Sequence, residues 1–184
     1  MIVVKLGGSL SQSDALIKSL NSIVKNYANR AVVIVPGGGA FADQVRLAQH
    51  RWQFDDKTAH RMAILAMQQM ALLIKGLKGD FFIAHSVAEI QKPLRQQKIV
   101  IWSPDIVDLD NAAIKASWDI TSDSLAAWLT KTLSATELIL VKSAIIDASL
   151  SLQQLAKQNI IDKGFCDFVR QAAFKIKVVN QHDF

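Results

Sequence analysis

Cysteine is nearly absent from this sequence: Cys166 is the only one in 184 residues. No disulfide can form within the chain, so the sequence reads as one for a reducing cytoplasm. There is no cysteine pair or close histidine pair to suggest zinc, and no metal-ligand set is read from it. No apolar run reaches the ~18 residues of a membrane span. Lys5 and the glycines after it interrupt the apolar start that a signal peptide would need. The basic excess is small, 21 Lys and Arg against 16 Asp and Glu for a net charge of +5. No block of five or six like charges marks a nucleic-acid tail. Neither Gly-x-x-x-x-Gly-Lys-Ser/Thr nor Gly-x-Gly-x-x-Gly occurs, which argues against P-loop and dinucleotide-binding folds. Repeats, linkers and low-complexity stretches are missing too. The expectation is one domain over residues 1–184, with neither nucleic acid nor membrane as partner. Hydrophobic residues make up 51% of the chain, enough for a buried core and too many for a disordered one.

What is present is two β-branched runs that each end in glycines. Ile2–Leu6 leads into Gly7-Gly8-Ser9, and Ala31–Val35 leads into Pro36-Gly37-Gly38-Gly39. Such runs read as buried strands, and the glycines let the backbone turn sharply toward a ligand. In open α/β sheets, ligands bind beyond the carboxyl ends of the strands. Two such loops beside Lys5 make a cradle for phosphate, with bare N–H groups and a nearby cation.

Apolar spacing predicts helices over 14–27, from about 39 past Leu47, and over 57–77, 87–97, 122–133, 152–158 and 165–173. Further strands are expected at 81–84, 99–102, 137–141 and 176–179. Residues 51–56 read as a loop, and 106–118 fit neither pattern. This alternation predicts an α/β fold, a three-layer α/β/α sandwich with a mainly parallel sheet. The 57–77 helix carries Met62, Met67 and Met70, with a narrow polar stripe of Arg61, Gln68 and Lys75, seven apart. A helix so apolar around its circumference is buried on more than one side. It is either a central core helix or the interface of a homodimer or larger homo-oligomer, and an oligomer is the expectation.

Candidate site residues gather at the strand ends: Lys5 with Gly7, Gly8 and Ser9; Gly37, Gly38 and Gly39; Ser103 and Asp105; Lys142 and Ser143. The turn Asp119-Ile120-Thr121-Ser122-Asp123 leads into a helix. There the hydroxyls of Thr121 and Ser122 suit a cap, and Asp123 complements the helix dipole. Alternatively, Asp123 holds Lys5 and Lys142 in position. Phosphoryl transfer rests on positioning and charge neutralisation, and lysines with glycine N–H groups supply both.

Lys5-Leu6-Gly7-Gly8-Ser9, Pro36-Gly37-Gly38-Gly39 and the run Asp119 to Ala127, followed by strand 138–141, resemble the amino acid kinase superfamily. That superfamily includes acetylglutamate, aspartate, uridylate and isopentenyl phosphate kinases. The likeness covers about residues 1–142 in order and spacing. It implies that Lys5 stabilises the transferred phosphoryl group and that Asp123 organises the lysines. It also implies backbone N–H donors at Gly7, Gly8, Gly37 and Gly38, with Ser9 and Ser143 on the nucleotide phosphates. Asp119, with Gly39, His60 and Thr121, would face the acceptor. ATP and Mg²⁺ are the implied cofactors, and a small phosphorylated molecule the implied substrate.

Residues 59–67 and 121–124 are further similar to a short branch of that superfamily. Its members phosphorylate (aminomethyl)furanylmethyl phosphate to a diphosphate in methanofuran-type cofactor synthesis. An acceptor with an amine and a phosphate would want a carboxylate and a cation, which Asp119 with His60 or Arg61 could supply. The sequence departs from the superfamily after the strand that ends near Val141. Lys142-Ser143-Ala144-Ile145-Ile146-Asp147 stands where a Thr-Asp-x-Asp-Gly loop is usual, and the later Gly-Gly-Met-x-x-Lys segment is missing. Lys142 takes the place of the second phosphate-binding lysine, with Lys163 the alternative. Two other readings are a non-catalytic nucleotide- or anion-binding subunit that regulates or stores, and a kinase of a carboxylate or carbamate.

Overall fold

The computed structural model describes residues 1–27 and 29–184. Six strands form one sheet: β1 (Ile2–Leu6), β2 (Val32–Pro36), β3 (Phe82–Ala84), β4 (Val100–Trp102), β5 (Glu137–Lys142) and β6 (Lys175–Asn180). They lie in the order β3-β4-β2-β1-β5-β6, and every pairing is parallel. The central strands β1 and β2 are buried at every residue. Burial on both faces is why they read as β-branched runs.

Helices cover both faces, as the sandwich expectation requires. The even residues Ile2, Val4 and Leu6 pack with Leu16, Leu20 and Ile23 of α1 (Ala15–Tyr27). The odd residues Val3, Val33 and Val35 pack with residues of α4 (Val87–Arg95), α6 (Ser122–Thr132), α7 (Leu152–Lys157) and α8 (Phe165–Val169). The long helix α3 (Asp56–Leu77) contributes to both cores, Ile64 and Met67 to one and Met70, Ala71 and Ile74 to the other. A short 3-10 turn, Gly8–Gln12, follows β1.

Several boundaries differ from the sequence expectation. Helix α2 (Gly39–Trp52) continues into the expected loop at 51–56, which shrinks to Gln53–Asp55. Gln53 ends it in a left-handed conformation, φ 53°, and Asp55 starts α3 by accepting a 2.7 Å bond from the Thr58 N–H. The unclassified stretch contains a short helix, α5 (Ile106–Asn111), capped by Asp105. Helix α8 stops at Val169, and the chain turns so that Phe174 reaches the core.

On α3 the polar stripe faces the rest of the chain. Gln68 donates to the Pro104 carbonyl and Lys75 to those of Gly79 and Phe81, while Arg61 pairs with Asp110. The exposed large apolar residues of this helix are leucines: Leu65, Leu72, Leu73 and Leu77. Among the described residues, no helix is long and apolar enough to cross a membrane.

The strand order places a reversal between β1 and β5. From β1 the chain continues outward through β2, and from β5 it continues outward the other way to β6. The two loops therefore diverge and leave a crevice, the usual ligand position in an open parallel sheet.

Candidate functional site

Register brings the first two site residues together. Lys5 pairs with Leu140 across β1 and β5, so Lys142, two residues further along, lies on the same face of the sheet. Helix α6 covers that face and carries Asp123 in its first turn. The Lys5 ammonium lies 2.8 Å from Asp123 Oδ1 and the Lys142 ammonium 2.5 Å from Oδ2. The three side chains are 5%, 13% and 3% exposed for Lys5, Lys142 and Asp123, so this is a buried ion triad. Burial pushes the Asp123 carboxyl up, but Lys5 and then Lys142 outweigh it and hold it at about 2. Burial, and after it the charge of Lys5, brings Lys142 down to about 8 against the pull of Asp123. At neutral pH the triad carries two positive charges and one negative, which is a built anion site.

The glycine loops form its other wall. A β-carbon on Gly8 would collide with the Gly39 backbone, and one on Gly37 would lie 2.5 Å from the Gly8 nitrogen. The two loops therefore touch backbone to backbone, as side chains would forbid. Gly39 itself has φ +55°, and a β-carbon on it would lie 3.0 Å from Ser11 Oγ and 3.1 Å from Met70 Sδ. Two of the four expected N–H donors are already used: Gly7 donates to the Val141 carbonyl and Gly37 to that of Leu6. Their N–H groups complete the strand pairing and do not face a ligand. Gly8, which opens the 3-10 turn, and Gly38, which caps α2, stand at helix starts, where N–H groups have no helical partner.

A cavity of about 630 Å³ opens over the triad. Of the sequence candidates, its wall includes Lys5, Gly8, Ser9, Gly37, Gly38, Gly39, His60, Asp119, Thr121, Asp123, Lys142 and the alternative lysine, Lys163. Gly7 and Ser143 lie outside the wall; Ser143 is exposed and reaches the site only through a 2.8 Å bond to Ser9. Ser103 and Asp105 are not on it either, Asp105 being occupied as the α5 cap. Arg61 is held at the surface by Asp110, so His60 is the member of that pair on the wall. Burial lowers the His60 pKa, which favours a neutral imidazole. Between the two candidate lysines the geometry separates cleanly. Lys163 is 67% exposed and lies 3.7 Å from Asp119, whereas Lys142 belongs to the buried triad.

Residues that sequence reasoning missed complete the wall. Arg46 of α2 lies with its guanidinium carbon 3.8 Å from the centre of the Trp118 ring. The Trp118 indole donates to Gln49 at 2.6 Å, which fastens the 112–121 stretch to α2 beside the cavity. Asp43 and Asp56 add carboxylates to the wall of the same cavity. The largest omission is Asp162, in the turn after α7. Its carboxylate accepts from the N–H groups of Thr121 and Ser124 and from both their hydroxyls. The cap expected from the Thr121 and Ser122 hydroxyls therefore comes from a carboxylate nearly forty residues away. Thr121 spends its own donors on it, which leaves its hydroxyl uncommitted to a substrate only as an acceptor. The dipeptide Lys163-Gly164 marks a turn in the sequence, but nothing there says where that turn docks.

The model of the amino acid kinase family matches residues 1–144, which takes in both glycine loops, Asp123 and Lys142. The chain belongs to the amino acid kinase family. It is 34% identical over 143 residues to the [5-(aminomethyl)furan-3-yl]methyl phosphate kinase of Methanocaldococcus jannaschii, over 76% of this chain and 64% of that protein. It is 28% identical over 78 residues to the acetylglutamate kinase of Colwellia psychrerythraea, covering 42% of this chain and 29% of that one. The match thus spans less than two thirds of either relative's length. The uridylate kinase from Archaeoglobus fulgidus shares the fold, with a TM-score of 0.74 at 17% identity over 99% of this chain and 92% of that one. Asp162 lies beyond the stretch that the family model matches.

Proposed function

We propose that this chain is an ATP- and Mg²⁺-dependent kinase of a small phosphate monoester that also carries an ammonium group. The observation that carries this reading is the buried Lys5–Asp123–Lys142 triad beneath two touching glycine loops. Lys5 and Lys142 neutralise the moving phosphoryl group, and the Gly8 and Gly38 N–H groups bind its oxygens. Asp123 aligns the lysines and does not accept a proton, since its pKa of about 2 keeps it ionised. In transfer, the bond from the γ-phosphorus to its bridging oxygen breaks, ADP leaves, and a bond forms to an acceptor phosphate oxygen. That oxygen is already anionic, so no general base is needed. Bound Mg²⁺ neutralises the nucleotide phosphates. Among the described residues, no group of three or more His, Cys, Asp and Glu could hold a metal ion. An ion that enters with the nucleotide and keeps most of its waters fits that donor set.

For the acceptor, the cavity wall offers Asp43, Asp56 and Asp119 together with Arg46 and His60. Carboxylates for an ammonium and a guanidinium for a phosphate suit the substrate class in the name of the Methanocaldococcus jannaschii relative. We assign (aminomethyl)furanylmethyl phosphate as the acceptor and its diphosphate as the product, a step of methanofuran-type cofactor synthesis. ³¹P NMR of the protein with MgATP and this acceptor should show a new diphosphate doublet beside ADP. Persistent ATP with this acceptor would overturn the assignment.

The finer reading of α3 is a homodimer. Met62, Leu65, Gln69, Leu72 and Gly76 recur at alternating spacings of three and four, a seam suited to packing against a second helix. A Cβ at Gly76 would meet nothing within 4 Å, which leaves room for close approach. Sedimentation should give a dimer for the protein and a monomer for Leu72→Glu; a monomeric parent would refute it.

A further inference from the structure

We propose that Asp162 is a positioning residue for phosphoryl transfer, holding the Asp123 carboxylate between Lys5 and Lys142 from the opposite side. The inference rests on the kinase reading for its catalytic consequence, and on geometry alone for the contact itself.

Two routes lead from Asp162 to the triad. The first is through the helix start. Its carboxylate accepts from Thr121 N at 2.8 Å, Thr121 Oγ1 at 2.5 Å, Ser124 N at 2.9 Å and Ser124 Oγ at 2.9 Å. Asp123 sits between the two residues so held, so its place on α6 follows from this clamp. The second route is direct: the Asp162 backbone N–H donates to Asp123 Oδ2 at 3.2 Å. That is the oxygen on which the Lys142 ammonium rests. Lys5 takes the other oxygen, so the rotation of the carboxylate is fixed by three contacts from three separate parts of the chain.

The neighbouring backbone makes the docking tight. The Gly164 N–H donates to the Asp119 carbonyl at 2.8 Å, and a β-carbon on Gly164 would lie 2.8 Å from that oxygen. The 162–164 turn is therefore seated directly on the 119–124 turn. Charge points the same way. Lys142 is faced by Lys5 from β1, Asp123 from α6 and Asp162 from the turn after α7. Burial and then the Asp123 charge push the Asp162 carboxyl up, while the bonds from Thr121 and Ser124 act against them. Three of the four donors converge on Oδ2, an arrangement that a charged oxygen holds more strongly than a neutral amide one.

Asp162→Asn tests this while conserving size. The amide puts an NH₂ where the carboxylate accepts from the Thr121 hydroxyl, and its neutral oxygen holds the three other donors more weakly. Misplacement of the triad is expected to lower kcat by about 10–100-fold, with MgATP affinity within about threefold of the parent. Loss of the Asp162 charge should also move the Lys142 titration to lower pH, and with it the basic limb of kcat/KM. Ser124→Ala removes one of the four bonds to Asp162 and keeps its charge, so it should leave that titration in place with a smaller loss of kcat. The Lys142 titration is read by lysine-edited NMR on the free protein, with Lys142→Met for assignment. An unshifted titration in folded Asp162→Asn, or an unchanged kcat, would overturn the positioning role. If the parent turns over no acceptor, the kinase reading fails, while the NMR shift still decides whether Asp162 acts on Lys142. Should Asp162→Asn not fold, Ser124→Ala decides: a fall in kcat at unchanged melting temperature supports the role, and an unchanged kcat refutes it.

Discussion

Strand β5 carries the same arrangement of charge at both ends, with opposite consequences. At its start, Glu137 lies between Arg30, at 3.0 Å, and Lys177, at 2.8 Å. At its end, Lys142 shares Asp123 with Lys5. Both are a carboxylate flanked by two cations. The outer cluster keeps its cations in solvent, with Arg30 40% and Lys177 58% exposed, whereas the inner lysines are 5% and 13% exposed. Solvent screens the first and lets each group ionise at little cost, so it contributes at most modest stability. The second gives up hydration on three charged groups, which an apolar replacement of similar volume would not require. Buried charge of that cost, at the crevice between β1 and β5, is what supports the proposed phosphate-binding role.

Breaking each cluster should separate the two roles. Lys5→Ala is expected to lower kcat by about 10³-fold, since it removes charge at the moving phosphoryl group. Asp123 keeps Lys142, so the circular dichroism spectrum should remain native; near-normal turnover would refute the catalytic assignment. Gly8→Ala comes next, with an expected loss of about 10²-fold in turnover and weaker MgATP binding in a titration. Its β-carbon meets the Gly39 backbone, which has no flexible end to yield.

The pH response sharpens the contrast. In the free protein Lys142 has a pKa of about 8 against an ordinary 10.5. The kcat/KM profile, which reports the free enzyme, should therefore fall as pH rises through about 8. Stability responds in the opposite direction. Between about 8 and 10.5 the unfolded chain still holds this proton and the folded chain has lost it, so the contribution of Lys142 to stability rises with pH. Denaturation midpoints of the protein and Lys142→Met at pH 7.5 and pH 10 should show that difference. The smallest effect is expected for Arg30→Ala, with turnover unchanged and stability lowered by less than about 1 kcal/mol in denaturant titration.

Much of the fold was legible because parallel strands and their helices carry local signals. Val32–Pro36 is an unbroken apolar run and Ile2–Leu6 is interrupted only by Lys5, and the glycines after them mark the turns. Where signals conflict, boundaries slipped. Arg51 and Trp52 were read as loop, yet they close the last turn of α2 before Gln53 turns left-handed. The site was legible only in part. Lys5, Gly8, Gly38 and Asp123 stand in motifs that announce them, whereas Arg46, Trp118 and Asp162 stand in none.

By itself the sequence determined which segments are strands and helices, that glycine loops follow β1 and β2, and which ionisable groups stand near strand ends. Those follow from periodicity, backbone freedom and side-chain chemistry, all of them properties of neighbours along the chain. Only the tertiary structure decided which lysine joins Lys5, since the register of β1 on β5 puts Lys142 on the shared face and leaves Lys163 in solvent. It alone showed that Gly7 and Gly37 give their N–H groups to carbonyls and that Asp162 caps α6. Hydrogen bonds and ion pairs between distant segments depend on how the sheet and its turns come together, and no local pattern encodes that.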